Sequence, residues 1–328
     1  ENNFNLFPCE NCTKAMFCSS SCKEEFNHQY ECDIFDDLLK SGIKHIVLRI
    51  FLEGISYFNG DVKELEAFIE SNSKKNFNIF NIESTGLEKK KQIFLSTLSL
   101  AADDENDTDE YEKIFKSSKK LASLWKNHEN FIKNLLKKLI SVGNKDIHGI
   151  GKWSIQKNEN CTKIPAQCHQ LIGNACYLLS SLLNHSCAPN VRRLNVDNKI
   201  ILFCLRPIKA GDQLFDSYRQ NFNVQPKNLR QEHLLKDYGF ECDCEACTNN
   251  YPLNKDLKII DDALLEYAWE SFEELPNLTQ NDAKNRLKDY YEMFTKYHRH
   301  FPSAELLVMQ ECISNALIAI TKPTIQFS

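Results

Sequence analysis

Three cysteines in the pattern Cys242-x-Cys244-x-x-Cys247, and a fourth inside Asn184-His185-Ser186-Cys187-Ala188-Pro189-Asn190, constrain this chain more than any other feature. Zinc takes four thiolate or imidazole ligands in a tetrahedron. One ion can be closed by Cys187 and the three later cysteines. Such a site pins together two segments about fifty residues apart, beside a shared pocket. The earlier segment also offers an amide at Asn184 and an imidazole at His185.

The amino-terminal region carries a second cluster. Cys9-x2-Cys12-x5-Cys18-x3-Cys22-x5-His28-x3-Cys32 places five thiols and one imidazole within 24 residues. Six donors make one full tetrahedral site and half of another. The spacing of His28 and Cys32 sets both on one face of a helical turn.

Fourteen cysteines suggest the framework of a secreted disulfide protein, but nine of them fall in these zinc-type clusters. Zinc needs reduced thiolates, which points to a cytoplasmic or nuclear compartment. The other five, Cys161, Cys168, Cys176, Cys204 and Cys312, are expected mostly to be small buried hydrophobes. A net charge of −5 gives no electrostatic reason for a nucleic-acid partner and suits a basic peptide better. No apolar run approaches the roughly 20 residues of a membrane span. At 328 residues the chain has room for two or three domains.

Between Cys9 and Ile164 there is no proline, which suits long helices. Apolar periodicity predicts helices over 36–58, 61–72, 87–102 and 111–141. The last of these has Leu121, Leu124, Trp125, Phe131, Leu135, Leu136 and Leu139 on its apolar face. The acidic run 103–110 reads as a solvated loop. From about 152 short β-rich segments appear, such as Ile200–Leu205, with a turn at 206–212. A short helix is predicted over 178–183, and three more over 256–275, 279–300 and 303–320.

The Asn184–Asn190 motif, the later Gly211-Asp212-Gln213-Leu214-Phe215-Asp216-Ser217-Tyr218 and the tail Tyr238-Gly239-Phe240-Glu241-Cys242 resemble the carboxy-terminal half of a SET domain, the lysine methyltransferase fold. The resemblance implies that the two segments cross in a pseudoknot ending in a catalytic tyrosine, Tyr218. It implies that Asn184 and His185 contact S-adenosylmethionine, and that Tyr238 and Phe240 line the lysine channel and pack on the cofactor. Asn158 matches loosely an asparagine near the cofactor. Cys187, Cys242, Cys244 and Cys247 then form the post-SET zinc site. After Tyr218 this chain reads Arg219-Gln220-Asn221-Phe222, where the family commonly has an acidic residue, so local substrate contacts are expected to differ.

The amino-terminal pattern is similar to the MYND finger, with eight ligands in two interleaved sites. By that pattern Cys9, Cys12, His28 and Cys32 form the complete site. Cys18 and Cys22 belong to the other, whose first pair is expected before Cys9. The chain is therefore expected to begin inside the finger, or else one of its zinc sites is defective. It is likewise expected to lack the Gly-x-Gly cofactor segment that the SET-and-MYND family carries ahead of the finger, and so to be inactive by itself.

The implied fold class is α+β. The expected organisation is an incomplete MYND finger over 1–35, a helical insert over 36–150, the SET half over 151–240, the post-SET segment over 241–250 and a helical, tetratricopeptide-like region over 251–328. The implied function is S-adenosylmethionine-dependent protein-lysine N-methylation of histone or non-histone proteins. The alternative is a non-catalytic adaptor whose finger recruits proline-rich partners. Sequence-specific DNA binding is disfavoured, because the finger lacks Cys-Cys-His-His spacing and a basic recognition helix.

Overall fold

The computed structural model describes residues 6–25, 28–73, 79–82, 84–101, 106–156, 166–196, 199–274 and 277–321. The chain divides into two compact units, 1–148 with 174–181, and 149–173 with 182–328. Helices dominate both and short strands frame the second, so the α+β class holds.

In the first unit the finger opens with β1 (Phe7–Pro8) paired antiparallel to β2 (Met16–Phe17), followed by α1 (Ser20–Glu25). Helices α2 (Phe35–Leu39), α3 (Ile43–Ser56), α4 (Val62–Asn72), α5 (Gly86–Leu98), α6 (Asp109–Ser117) and α7 (Lys119–Lys145) follow. Two expected helices are interrupted. The predicted 36–58 helix is divided between Leu39 and Ile43, where Gly42 has a φ of +60° and a ψ of −121° that a side chain would resist. The predicted 111–141 helix kinks at His128, where a φ of −141° and a ψ of 28° are not helical, and breaks at Ser118, which is extended. Tertiary contacts hold that break open. Ser118 Oγ donates to the Tyr30 carbonyl at 2.8 Å, and the Lys119 N–H donates to Asp33 at 3.1 Å. Local periodicity carries no trace of these partners.

The core of this unit joins Val47, Leu48, Phe51, Leu52 and Ile55 of α3 to Leu121, Trp125, Ile132, Leu135, Leu136 and Leu139 of α7. The α7 stripe is the one that the sequence predicts, except that Ile132 takes the buried place and Phe131 and Leu124 are only partly buried. Two glycines let the helices approach. A Cβ on Gly143 would sit 2.5 Å from Val47 Cγ2, and one on Gly54 would sit 2.5 Å from the Phe94 ring.

β3 (Ile147–Gln156) and β4 (Ala166–Cys176) form a two-stranded sheet, and α8 (Leu178–Ser181) follows. In the second unit β5 (Asn184–His185) runs parallel to β8 (Phe215–Asp216). Between them, β6 (Val191–Val196) and β7 (Lys199–Cys204) make an antiparallel hairpin with Val191 opposite Cys204. α9 (Lys227–Tyr238) and α10 (Glu245–Thr248) lead into three longer helices, α11 (Asp262–Glu274), α12 (Gln280–Tyr297) and α13 (Ala304–Thr321).

α11 begins later than the predicted 256. The amides of Ile260 and Asp261 instead donate to the buried Glu305 carboxylate of α13, at 2.6 and 3.0 Å. α13 is long and apolar enough to span a membrane, with mean hydropathy 1.3, yet 61% of it is buried in this core. Arg192 of β6 grips Glu311 of α13 with both terminal nitrogens, at 3.0 and 2.7 Å, which fixes the hairpin against the helix.

Gly143→Ala gains helix propensity of about 1 kcal/mol. Overpacking against the stiff, β-branched Val47 costs about 1–3 kcal/mol. The expected outcome is a net loss of stability in thermal or denaturant unfolding, and a higher melting temperature would refute this packing.

Candidate active site and metal centres

The site begins with a crossing of two segments. Asn184 lies opposite Phe215 and His185 opposite Asp216 in the β5–β8 pair. Parallel strands cannot be joined by a tight turn, so the chain must leave and return between them. The residues after β5 then close over the returning segment. The Ser186 N–H donates to the Asp216 carbonyl at 2.9 Å, and the Asn190 N–H to that of Phe215 at 3.2 Å. The Asn190 side chain accepts from the Phe215 N–H at 2.7 Å and donates to the Gln213 carbonyl at 2.8 Å. The amide supplies both a donor and an acceptor there. The Phe222 N–H reaches the Cys187 carbonyl at 2.9 Å, so residues 213–222 are stitched to 184–190.

His185 sits in this crossing, 6% exposed. Its Nδ1 accepts from the Tyr218 N–H at 3.0 Å. That places the ring proton on Nε2, which lies 3.4 Å from Cys187 Sγ and donates to it. Burial keeps the imidazole neutral, with a pKa lowered to about 4. Beside it, Arg193 Nε meets the buried Asp216 carboxylate at 2.5 Å. Burial pushes the Asp216 carboxyl up, and Arg193 opposes that rise.

Tyr218 stands against two aromatic neighbours. Its ring centroid is 5.3 Å from that of His185 and 4.9 Å from that of Tyr238. Phe240 closes the group, 6.2 Å from His185 and 6.5 Å from Tyr238. The Tyr218 hydroxyl donates to the Leu183 carbonyl at 2.6 Å. Tyr238 ends α9, and Gly239 turns the chain with a φ of +77°. Its N–H caps the Leu234 and Leu235 carbonyls, a helix ending that favours glycine. Tyr238 and Phe240 thus flank a helix terminus. Asn184 is exposed next to the group, and Asn158 lies outside the described residues.

The ligand atoms of Cys187, Cys242, Cys244 and Cys247 all lie within 4.8 Å of one another, and Cys187 Sγ is 3.7 Å from Cys247 Sγ. Four Zn–S bonds of ~2.3 Å put sulfurs ~3.8 Å apart along a tetrahedron edge, so the donor set fits a zinc ion. Four thiols this close do not ionise together unaided. Cys187 is pushed far up by its hydrogen bonds to Cys242 and Cys244, while Cys244, bonded to Cys187 and Cys242, is held far down. A divalent cation removes that conflict.

Neighbouring groups hold the cluster. The Cys187 N–H donates to Cys244 Sγ at 3.3 Å. The Gln231 amide donates to the Cys242 carbonyl at 2.6 Å and accepts from the Cys242 N–H at 2.7 Å, as a paired strand would. Phe222, Leu234 and Ala246 pack around it.

In the finger, the ligand atoms of Cys9, Cys12, His28 and Cys32 also lie within 4.8 Å of one another. Cys9 Sγ is 3.7 Å from Cys32 Sγ, and Cys12 Sγ is 3.2 Å from His28 Nε2. His28 Nδ1 lies 3.4 Å from the fully buried Glu31. Glu31 also takes His45 Nε2 at 3.1 Å and Arg49 at 3.0 Å. Burial works to raise the Glu31 carboxyl, but His45 and Arg49 outweigh it and hold it below its usual range. A carboxylate on Nδ1 leaves Nε2 for a metal, the usual support of a ligating histidine. Cys18 is exposed and Cys22 half-buried, and among the described residues neither joins a group of three or more metal donors.

Sequence reasoning gave no role to Asn190, Asp216, Arg193, Arg230, Gln231 or Glu31. Asn190 was visible within its motif. Glu31 had a signal too, an acidic residue three positions after a candidate ligand histidine. Arg230 and Gln231 look like ordinary solvent-facing residues of a helix, and only the fold turns them inward.

Comparison with known proteins bears on the same residues. The SET domain family profile matches residues 9–219. The chain therefore belongs to the SET domain family. Its amino-terminal Cys/His group fits a MYND finger, and the combination is that of the SET and MYND domain-containing proteins. One such protein of Dictyostelium discoideum is 27% identical over 280 residues, 76% of this chain and 49% of the relative. A SET domain-containing protein of the same organism is 26% identical over 74% of this chain and 64% of its own length. The mouse histone-lysine N-methyltransferase SMYD3 is 29% identical over 134 residues, 37% of this chain and 31% of that enzyme. The chain thus spans about half to two thirds of the length of the first two relatives.

Metal analysis is expected to give about two zincs per chain, one for each four-donor group. Cys244→Ser should reduce that to about one and lower the melting temperature. Zinc should be released as pH falls, because each thiolate must be deprotonated to bind. Unchanged metal content in Cys244→Ser would refute the second site.

Proposed function

We propose that this chain belongs to the working part of an S-adenosylmethionine-dependent protein-lysine N-methyltransferase, with Tyr218 orienting the attacking amine. The observation that carries the reading is the convergence of Tyr218, His185, Tyr238 and Phe240 on the β5–β8 crossing. The similarity to mouse SMYD3, a histone-lysine N-methyltransferase, supports the same class.

Methylation requires an amine lone pair, whereas a free lysine has a pKa near 10.4 and arrives as an ammonium. Aromatic faces attract that cation. Exclusion of water then favours loss of its proton to the solvent, so no strong base is required. The Tyr218 hydroxyl gives its hydrogen to the Leu183 carbonyl. Toward the amine its oxygen therefore serves as an acceptor, holding an N–H and aiming the lone pair. His185 fixes the Tyr218 backbone through Nδ1, which orients the ring as well. When bound, S-adenosylmethionine supplies a methyl group on a cationic sulfur, which the same aromatic faces suit. Asn184 and His185 are the residues proposed to hold it.

A histone or non-histone lysine is the proposed substrate, consistent with a net charge of −5. The proposal extends to proline-rich peptides at the finger and to a cytoplasmic or nuclear location where thiolates stay reduced.

In the full-length protein, Tyr218→Phe is expected to slow methyl transfer by about 100-fold or more. Stability should change by only about 1 kcal/mol, for the lost bond to Leu183. Labelled-methyl transfer at saturating cofactor and substrate, with a melting curve alongside, checks both. Unchanged turnover would remove Tyr218 from the chemistry and favour an adaptor role.

A further inference from the structure

We propose that Arg230 is the charge-balancing partner of the four-sulfur centre of Cys187, Cys242, Cys244 and Cys247, a positioning residue that slows loss of its metal. The proposal rests on zinc as the occupant of that centre.

A zinc ion with four thiolates carries a net charge of −2. This centre packs among Phe222, Leu234 and Ala246. An anion in such surroundings is costly unless a cation or hydrogen bonds compensate it. Two of the N–H groups aimed at the sulfurs, from His185 and from the Cys187 backbone, are neutral dipoles. Arg230 brings a full charge.

Arg230 lies on α9, is 1% exposed, and is among the largest fully buried side chains of the described residues. Its Nη2 donates to Cys247 Sγ at 3.6 Å, and its Nη1 donates to the Gln225 carbonyl. Its Nε makes no hydrogen bond among the described residues. Among the described residues no carboxylate pairs with it, and Cys247 Sγ is the acceptor its Nη2 meets. A buried guanidinium needs an anion as much as the centre needs a cation, and each answers the other. An arginine is always charged, so the compensation does not depend on pH.

The arrangement has a mechanical side. Arg230 holds Cys247, and its neighbour Gln231 holds the Cys242 backbone. Two adjacent residues of α9 therefore grip both ends of the cysteine loop. The same helix ends in Tyr238, whose ring packs at a tilt against Tyr218. The metal centre and the aromatic wall share one rigid element.

The test compares zinc release from the intact chain and from Arg230→Lys, Arg230→Gln and Arg230→Met under chelator challenge, with the finger zinc as internal reference. Cobalt(II) substitution tells the sites apart, since four sulfurs and three sulfurs with one nitrogen give different charge-transfer bands. Arg230→Lys should stay within about threefold of the parent. Arg230→Gln and Arg230→Met should release one zinc about 10–100-fold faster, leaving the finger zinc unaffected. Should Arg230→Met fail to fold, the Gln and Lys variants still decide the matter. Release from Arg230→Gln as slow as from Arg230→Lys would show that a neutral donor suffices and overturn the charge role. Equal acceleration in all three would assign the effect to the shape of the guanidinium and overturn it too. A parent chain with no four-sulfur cobalt band would overturn the metal reading and the proposal together, a result distinct from failure of Arg230 alone.

Discussion

The second unit depends on one meeting, that of Cys187 with Cys242, Cys244 and Cys247. These sulfurs come from two ends of a segment that includes the β6–β7 hairpin, β8 and α9. Few apolar contacts span such a distance in sequence by themselves, and closing the loop costs entropy before any contact compensates. A cation shared by the four sulfurs would offset that cost in one step, because its binding free energy acts as folding free energy. The crossing of β5 and β8, the Asn190 clamp and the aromatic group are arranged around that closure.

His185 ties the four-sulfur cluster to Tyr218. One ring nitrogen donates toward Cys187 Sγ and the other accepts from the Tyr218 backbone. A single imidazole therefore sets the distance between the cluster and the tyrosine. Burial maintains the neutral tautomer that does both. Asn190 does comparable work for the backbone, since its amide satisfies a donor and an acceptor that the crossing would otherwise leave unpaired.

The finger follows the same logic on a smaller scale. Its ligand histidine rests on Glu31, and Glu31 rests on His45 and Arg49 of α3. The finger is thereby joined to the helical core of its own unit through a charged network, not through its short strands. Arg49 supplies the countercharge to the buried Glu31 carboxylate and the two imidazoles add hydrogen-bond contacts, so removing Arg49 leaves charge unpaired in a low-dielectric site.

Ligand spacing was the most legible part of the sequence, because thiol clusters are short and their chemistry leaves few alternatives. The Asn184–Asn190 motif and Tyr218 were legible for a similar reason, and so was the apolar stripe of α7. Helix boundaries were less so. Gly42 and Ser118 break helices that periodicity runs through, and Ser118 does so because of a carbonyl at Tyr30, far away in the chain. The roles of Arg230, Gln231 and Glu31 were illegible, since a polar residue on a helix reads as solvent-facing until the fold places a sulfur or an imidazole beside it. The sequence by itself determined which residues could bind metal and which motif residues frame the crossing. Only the tertiary structure decided which charges compensate them, because compensation depends on the direction in which a side chain is buried, and no local pattern records that.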